Sequence, residues 1–209
     1  MKNNKKYEID MTNGTIMDKL ITFSLPLMLS GILQLMFNAV DIIVVGQFSG
    51  SRPLAAVGST SALINLFTNF FIGISLGTNV LAARFFASGK IKEMSDTVHT
   101  SILFAAISGV VMMIVGLLFS RFALELMETP DEVIDMAALY LKIYFCGIIF
   151  LLFYNVGAAI LRAVGDTRKP LYYLIVCCAL NTVLDLLLVI VFDLGVFGVA
   201  AATGFLQAI

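Results

Sequence analysis

The apolar residues of this chain gather into long runs, each separated from the next by a short polar break. Crossing a bilayer takes ~20 mostly apolar residues in a helix. Five complete runs meet that length, at about 20–45, 55–86, 98–119, 134–161 and 171–192. A sixth begins near Val196, and the sequence stops at Ile209. That predicts a last helix of ~21 Å against a hydrocarbon core of ~30 Å, and hence a fragment, a truncated gene product or one half of a split protein. The second run is longer than a span needs, which predicts a tilted helix or a loop-like outer end. The breaks carry the glycines and prolines that punctuate helices: Phe48-Ser49-Gly50-Ser51-Arg52-Pro53, Ser88-Gly89-Lys90, Glu128-Thr129-Pro130-Asp131 and Gly165-Asp166-Thr167-Arg168-Lys169-Pro170. Pro26 inside the first run is a candidate bend.

Composition points to the same solvent. Hydrophobic residues make up 60% of the chain and charged residues 13%, with a mean hydropathy of +0.99. Soluble domains carry about 25% charged residues, so this chain has too few to wet a globular surface. The expected class is an all-α membrane protein, a transmembrane bundle spanning residues 20–209 with lipid as its main partner. Cys146, Cys177 and Cys178 lie in apolar runs without metal-ligand spacing and read as packing residues. No basic block of nucleic-acid-binding type occurs. No signal-peptide cleavage site follows the first run.

The basic residues set the orientation. Lys2, Lys5, Lys6 and Lys19 precede the first run; Arg84, Lys90 and Lys92 lie between the second and third; Arg162, Arg168 and Lys169 lie between the fourth and fifth. The other side holds only Arg52 and Arg121, with Lys142 inside the fourth run, and gathers Glu125, Glu128, Asp131, Glu132 and Asp135. The expectation is a multi-pass protein of the cell membrane whose N-terminal segment, residues 1–19, is cytoplasmic. The acidic group reads as a solvated outer loop at a helix start.

Candidate chemistry lies in the polar groups that lipid should exclude. An Asp at a span centre costs roughly 2.5–3.5 kcal/mol on insertion scales, yet the first run holds Asp41 and the fifth Asp185. Gln34, Asn38 and Asp41 fall at i, i+4, i+7, and Asn181 and Asp185 at i, i+4. Asn65 with Asn69, Ser75 with Asn79, and Thr203 with Gln207 repeat the spacing. Such stripes must turn from lipid toward a shared polar interior. Both acids sit in the outer half of their runs, at similar heights. Two carboxylates beside amide and hydroxyl oxygens suit a proton relay, since low dielectric favours the neutral acid, or a Na⁺ site, since a hard cation prefers oxygen. For single Asn, Gln or Thr residues, hydrogen-bond glue between helices explains the sequence equally well. Tyr140 and Tyr144, at i, i+4, fit an aromatic belt as well as a pocket. His99 beside Asp96 reads as an interfacial residue, and the ten Met and seventeen Phe as packing or lipid-facing groups.

Several stretches resemble the multidrug and toxic compound extrusion (MATE) family. Phe23-Ser24-Leu25-Pro26-Leu27 is similar to the start of its first helix, and Asn38-Ala39-Val40-Asp41-Ile42-Ile43-Val44-Val45-Gly46 to that helix's acidic exit. Leu54-Ala55-Ala56-Val57-Gly58 resembles the opening of helix 2, and Leu161 to Pro170 the loop between helices 4 and 5. Asn181-Thr182-Val183-Leu184-Asp185 resembles the Asn and Asp pair of helix 5, and Gly195 to Thr203 the beginning of helix 6. The resemblance runs from about Thr15 to the end. It implies the N-lobe of a twelve-helix fold, with helix 6 truncated and a C-terminal lobe supplied in cis or in trans. It implies a transporter rather than an enzyme: an antiporter that exports cationic and amphipathic compounds in exchange for Na⁺ or H⁺, with no other cofactor or metal. It implies ion coupling at Asp41, Asn181, Asp185 and Thr203. Gln34, Asn38, Asn65, Asn69, Tyr140 and Gln207 are candidates for a substrate cavity. Two alternatives stay open: a lipid-linked glycan flippase of the same superfamily, and a non-transporting remnant or half-transporter that needs a separate C-lobe. The flippase reading calls for cationic groups in mid-span, where the sequence offers only Lys142 near a helix end.

Overall fold

A computed structural model describes residues 16–192 and 195–207. The described residues form six helices: α1 (Ile16–Val44), α2 (Ser51–Ala87), α3 (Ile91–Leu126), α4 (Asp131–Ala163), α5 (Arg168–Leu186) and α6 (Gly195–Gln207). Helices α1 and α5 each widen at their ends into a π-helical turn, Val45–Ser49 and Leu187–Val191. Five helices are long and apolar enough to cross a membrane; α6, with 13 residues, is shorter.

The helices outrun their apolar runs. Helix α3 begins at Ile91 rather than near 98, because Lys92, Glu93 and Met94 are good helix formers outside the hydrocarbon. Helix α1 takes in Ile16 to Lys19, so the end of the proposed N-terminal segment is helical; residues 1–15 lie outside the described residues. Helix α2 runs unbroken through all 37 residues, and no loop forms at its N-terminal end, which the sequence places outside. At ~55 Å it exceeds the hydrocarbon thickness and must protrude or tilt. The six-residue break between the first two runs shrinks to Gly50 alone, with φ 94° and ψ −175°. That backbone suits glycine, which has no Cβ to clash. Pro26 is buried inside α1, and the helix continues through it.

Helix α4 is the hub. It packs along α2 and α3 on one side and against α6 on another, while α1 pairs with α5. Half of its most apolar stretch is buried, against 17–22% in the other spans. One core cluster joins Phe71 of α2, Ala105 and Leu124 of α3, and Leu141, Phe145, Ile148 and Leu152 of α4. A second joins Val44 and Val45, Val57, Tyr140, Val189, and Val199 with Ala200, so it ties five helices at one level. Polar glue supplements the packing: Asn79 Nδ2 donates to the Ala159 carbonyl at 2.7 Å, and the hydroxyls of Thr78 and Ser101 meet at 3.1 Å. At the acidic end, Arg121 pairs with Glu125 and Asp135, and Arg52 with Glu132.

The α4–α5 elbow is held by Asp166, which is 1% exposed. Its Oδ1 accepts the Lys169 backbone N–H at 3.1 Å, and its Oδ2 lies 2.8 Å from Lys169 Nζ. The carboxylate thus caps the first turn of α5 and neutralises its neighbour. Asp166→Ala is expected to cost about 1–2 kcal/mol, the usual range for losing a cap. Asp166→Asn, which keeps an acceptor, should cost less. Thermal unfolding in detergent checks both.

Candidate functional site

The two intramembrane acids meet. Asp41 lies in the last turn of α1 and is 6% exposed; Asn181 and Asp185, one turn apart on α5, are both fully buried. Asn181 stands between the acids. With its amide nitrogen turned toward them, it donates to Asp185 Oδ2 at 2.9 Å and to Asp41 Oδ1 at 3.0 Å. The opposite orientation would set an amide oxygen against carboxylate oxygens, so the network selects this one. One neutral side chain therefore spends both N–H groups on two acids from two helices.

The remaining lone pairs are not all satisfied. Asp185 Oδ1 and Thr203 Oγ1 are buried without a hydrogen-bond partner. Thr203 lies three and four residues after Ala200 and Val199, so it shares their face of α6. That face is the one packed against Val44, Val189 and Tyr140. Tyr140 of α4 is 7% exposed and lies within electrostatic range of both Asp41 and Asp185. Two charged carboxylates here would repel each other, and a proton or small cation relieves that repulsion. Two carboxylates that share one amide suit H⁺ or a hard monovalent ion.

Backbone geometry supports the gathering. The π-helical turns follow both acids, four residues after Asp41 and two after Asp185, and pack against each other and against α6. Wide turns of this kind recur at functional sites. The sulfur of Cys178, on α5 one turn before Asn181, sits 4.0 Å from the Leu33 carbonyl along the same α1–α5 seam.

Other sequence candidates lie elsewhere. Gln34 and Asn38 share the helix with Asp41 but are exposed. Asn65 and Asn69 are exposed on α2, and Asn69 Nδ2 donates to the Asn65 carbonyl at 2.8 Å within its own helix. Gln207 ends α6, and its side chain lies outside the described residues. Tyr140 belongs with the acids rather than with this exposed amide face. Tyr144 is buried too, with its hydroxyl 2.8 Å from Thr68 Oγ1. Neither tyrosine is an exposed belt residue.

A helical bundle with a buried acid pair at the meeting of α1, α4, α5 and α6 describes a multi-pass membrane protein of transporter type. The sequence matches the MatE family over residues 26–187, and the chain belongs to that family. It is 32% identical over 200 residues to the probable multidrug resistance protein YpnP of Bacillus subtilis (strain 168), covering 96% of this chain and 45% of that protein. It is 35% identical over 176 residues to the probable multidrug resistance protein YoeA of the same organism, covering 84% of this chain and 37% of the relative. A crystal structure of MATE in the bent conformation superposes with a TM-score of 0.88 at 26% identity, over 93% of this chain and 43% of that one. The chain thus spans less than half the length of these relatives and matches the N-lobe of the MATE fold.

Proposed function

We propose that this chain supplies the ion-coupling lobe of a multidrug efflux antiporter, which exports cationic or amphipathic compounds in exchange for Na⁺ or H⁺. The observation that carries the reading is the Asn181 amide shared by Asp41 and Asp185, beside the unpartnered Asp185 Oδ1 and Thr203 Oγ1. Filling this site with a proton or Na⁺ removes the repulsion between the acids and lets α1 and α5 close on α6. Emptying it separates them. Alternating access needs two bundles that rock about a central site, so transport requires a C-lobe in cis or in trans. The exposed amides Gln34, Asn38, Asn65 and Asn69 are candidates for the face turned to substrate. Drug efflux is favoured over the flipping of anionic glycolipids because no Lys or Arg is buried among the described residues. The basic-residue asymmetry supports a cytoplasmic N-terminus.

The test places the chain together with a C-lobe in vesicles and measures efflux of a cationic dye under an imposed Na⁺ or pH gradient. Efflux driven by one of the two gradients is the expected result. Efflux independent of both would defeat the coupling reading. The chain without a C-lobe is expected to bind the ion and export nothing.

A further inference from the structure

We propose that Tyr144 and Thr68 form a positioning pair, which holds the acid-facing surface of α4 in register with α2 and so transmits occupancy of the acid site to the exposed amide face of α2. The proposal rests on the ion-coupling reading above. It concerns two residues outside the acid cluster.

Tyr140 and Tyr144 stand one turn apart on α4 and are both buried. The first belongs to the core cluster that holds Val44 and Val189, one turn from the acids, the second to the larger cluster between α2, α3 and α4. Ile64 of α2 packs against both clusters. Thr68 is the next residue on that face, at i+4. Two successive turns of α4 therefore meet two successive turns of α2, and the second meeting is closed by the 2.8 Å hydroxyl pair. Asn65 and Asn69 lie at i−3 and i+1 from Thr68 and are exposed. Helix α2 thus has its half-buried Thr68 hydroxyl in the same turn as its exposed amides.

A shift of Tyr140, driven by the charge of Asp41 and Asp185, moves α4 as a rigid helix. The α4–α2 contact then has two choices. Either α2 follows, or the Tyr144 phenol loses its partner in an apolar setting, which is unfavourable. The hydrogen bond makes following the cheaper course. Either hydroxyl can be the donor, so the bond survives small rotations of α4.

Plain interhelical glue is the competing account, and the same interface contains the control. Asn79 also joins α2 to α4, through the Ala159 carbonyl at 2.7 Å, about three turns further along α2. If the Tyr144–Thr68 bond were glue alone, its loss should resemble the loss of the Asn79 bond.

The experiment titrates the purified chain in lipid nanodiscs with Na⁺, and separately with acid, following intrinsic fluorescence. The chain has six Tyr and no Trp, so the emission is that of tyrosines, among them Tyr140 beside the acids. Tyr144→Phe and Thr68→Val each remove one hydroxyl with little change of shape. Each should shift the ion midpoint about threefold in concentration, the size of one interhelical hydrogen bond. The double variant should match the singles, since both lose one shared bond. Asn79→Leu should lower the melting temperature and leave the midpoint in place. Asp185→Asn should abolish the response. If Tyr144→Phe and Thr68→Val keep the wild-type midpoint while Asp185→Asn is silent, the pair is glue and the proposal fails alone. A midpoint shift in Asn79→Leu equal to theirs would overturn it as well. If Asp185→Asn still responds in full, the coupling reading fails and takes this proposal with it.

Discussion

Asp185→Asn is expected to reduce gradient-driven efflux about thirtyfold or more, the usual penalty for removing one charge from a buried hydrogen-bonded group. The substitution keeps size and shape, so the loss is chemical. An amide can neither take up nor release a proton, and it offers a cation a neutral carbonyl in place of a carboxylate. Asp185 is fully buried, and its Oδ1 has no hydrogen-bond partner. Asp41→Asn should have a similar effect, because Asn181 donates equally well to either acid. Asn181→Ala should do less. It removes the shared donor but leaves both charges, so ion dependence should persist with weaker affinity. The measurement is efflux of a cationic dye by the chain paired with a C-lobe, at matched expression, under Na⁺ and pH gradients in turn. Wild-type gradient dependence in both aspartate variants would end the case for these acids as the coupling site.

What the sequence could reveal followed from how strongly each feature is penalised. Lipid tolerates few charges, so apolar runs marked where the helices are. It marked their ends poorly, because a helix that leaves the hydrocarbon continues through residues such as Lys92 and Glu93 without a composition cue. The α1–α2 break looked like a six-residue loop, but a π-helical turn absorbs one side of it and the first turn of α2 the other. The acids stood out because their burial is costly. Their neighbours did not. Gln34 lies at almost the same angle on α1 as Asp41, yet it is exposed while Asp41 is buried. Seven residues separate them, ~10 Å of depth, and the second core cluster, with Val44 and Val189 one turn from the acids, lies at the Asp41 end. Helical periodicity gives azimuth, whereas burial depends on what packs at each depth. Tyr140 was ambiguous for a related reason: only the stacking of α4 on α6 brings it to the acids. The double donation by Asn181 needed coordinates, since no spacing rule tells which amide will fall between two carboxylates from separate helices.

A large stability effect is expected at a residue the sequence did not single out. Gly116 is buried on α3 where that helix crosses α4. A Cβ built there runs into the ring of Phe145, with Phe145 Cβ only 2.6 Å away. The ring cannot simply turn aside. It packs edge-on to Phe67 at a centroid distance of 5.5 Å and to Tyr144 at 6.0 Å, inside the main core cluster. Gly116→Ala should therefore cost about 1–3 kcal/mol, the range for overpacking a filled core. Gly116→Leu should cost more, or prevent α3 and α4 from docking. Close helix approach through a small residue is a main source of packing energy between membrane helices, where burial from water adds nothing. Pairing the substitution with Phe145→Ala gives the diagnostic result. Phe145→Ala alone leaves a cavity and should cost about 3–5 kcal/mol. In the Gly116→Leu background the same change makes room for the new side chain, so the double variant should be more stable than the sum of the singles by about 0.5–3 kcal/mol. Strict additivity in thermal unfolding would mean that the two residues do not compete for one space. Gly73 and Gly77 on α2 serve as the contrast: a Cβ at either meets nothing within 4 Å, and Ala there should be tolerated.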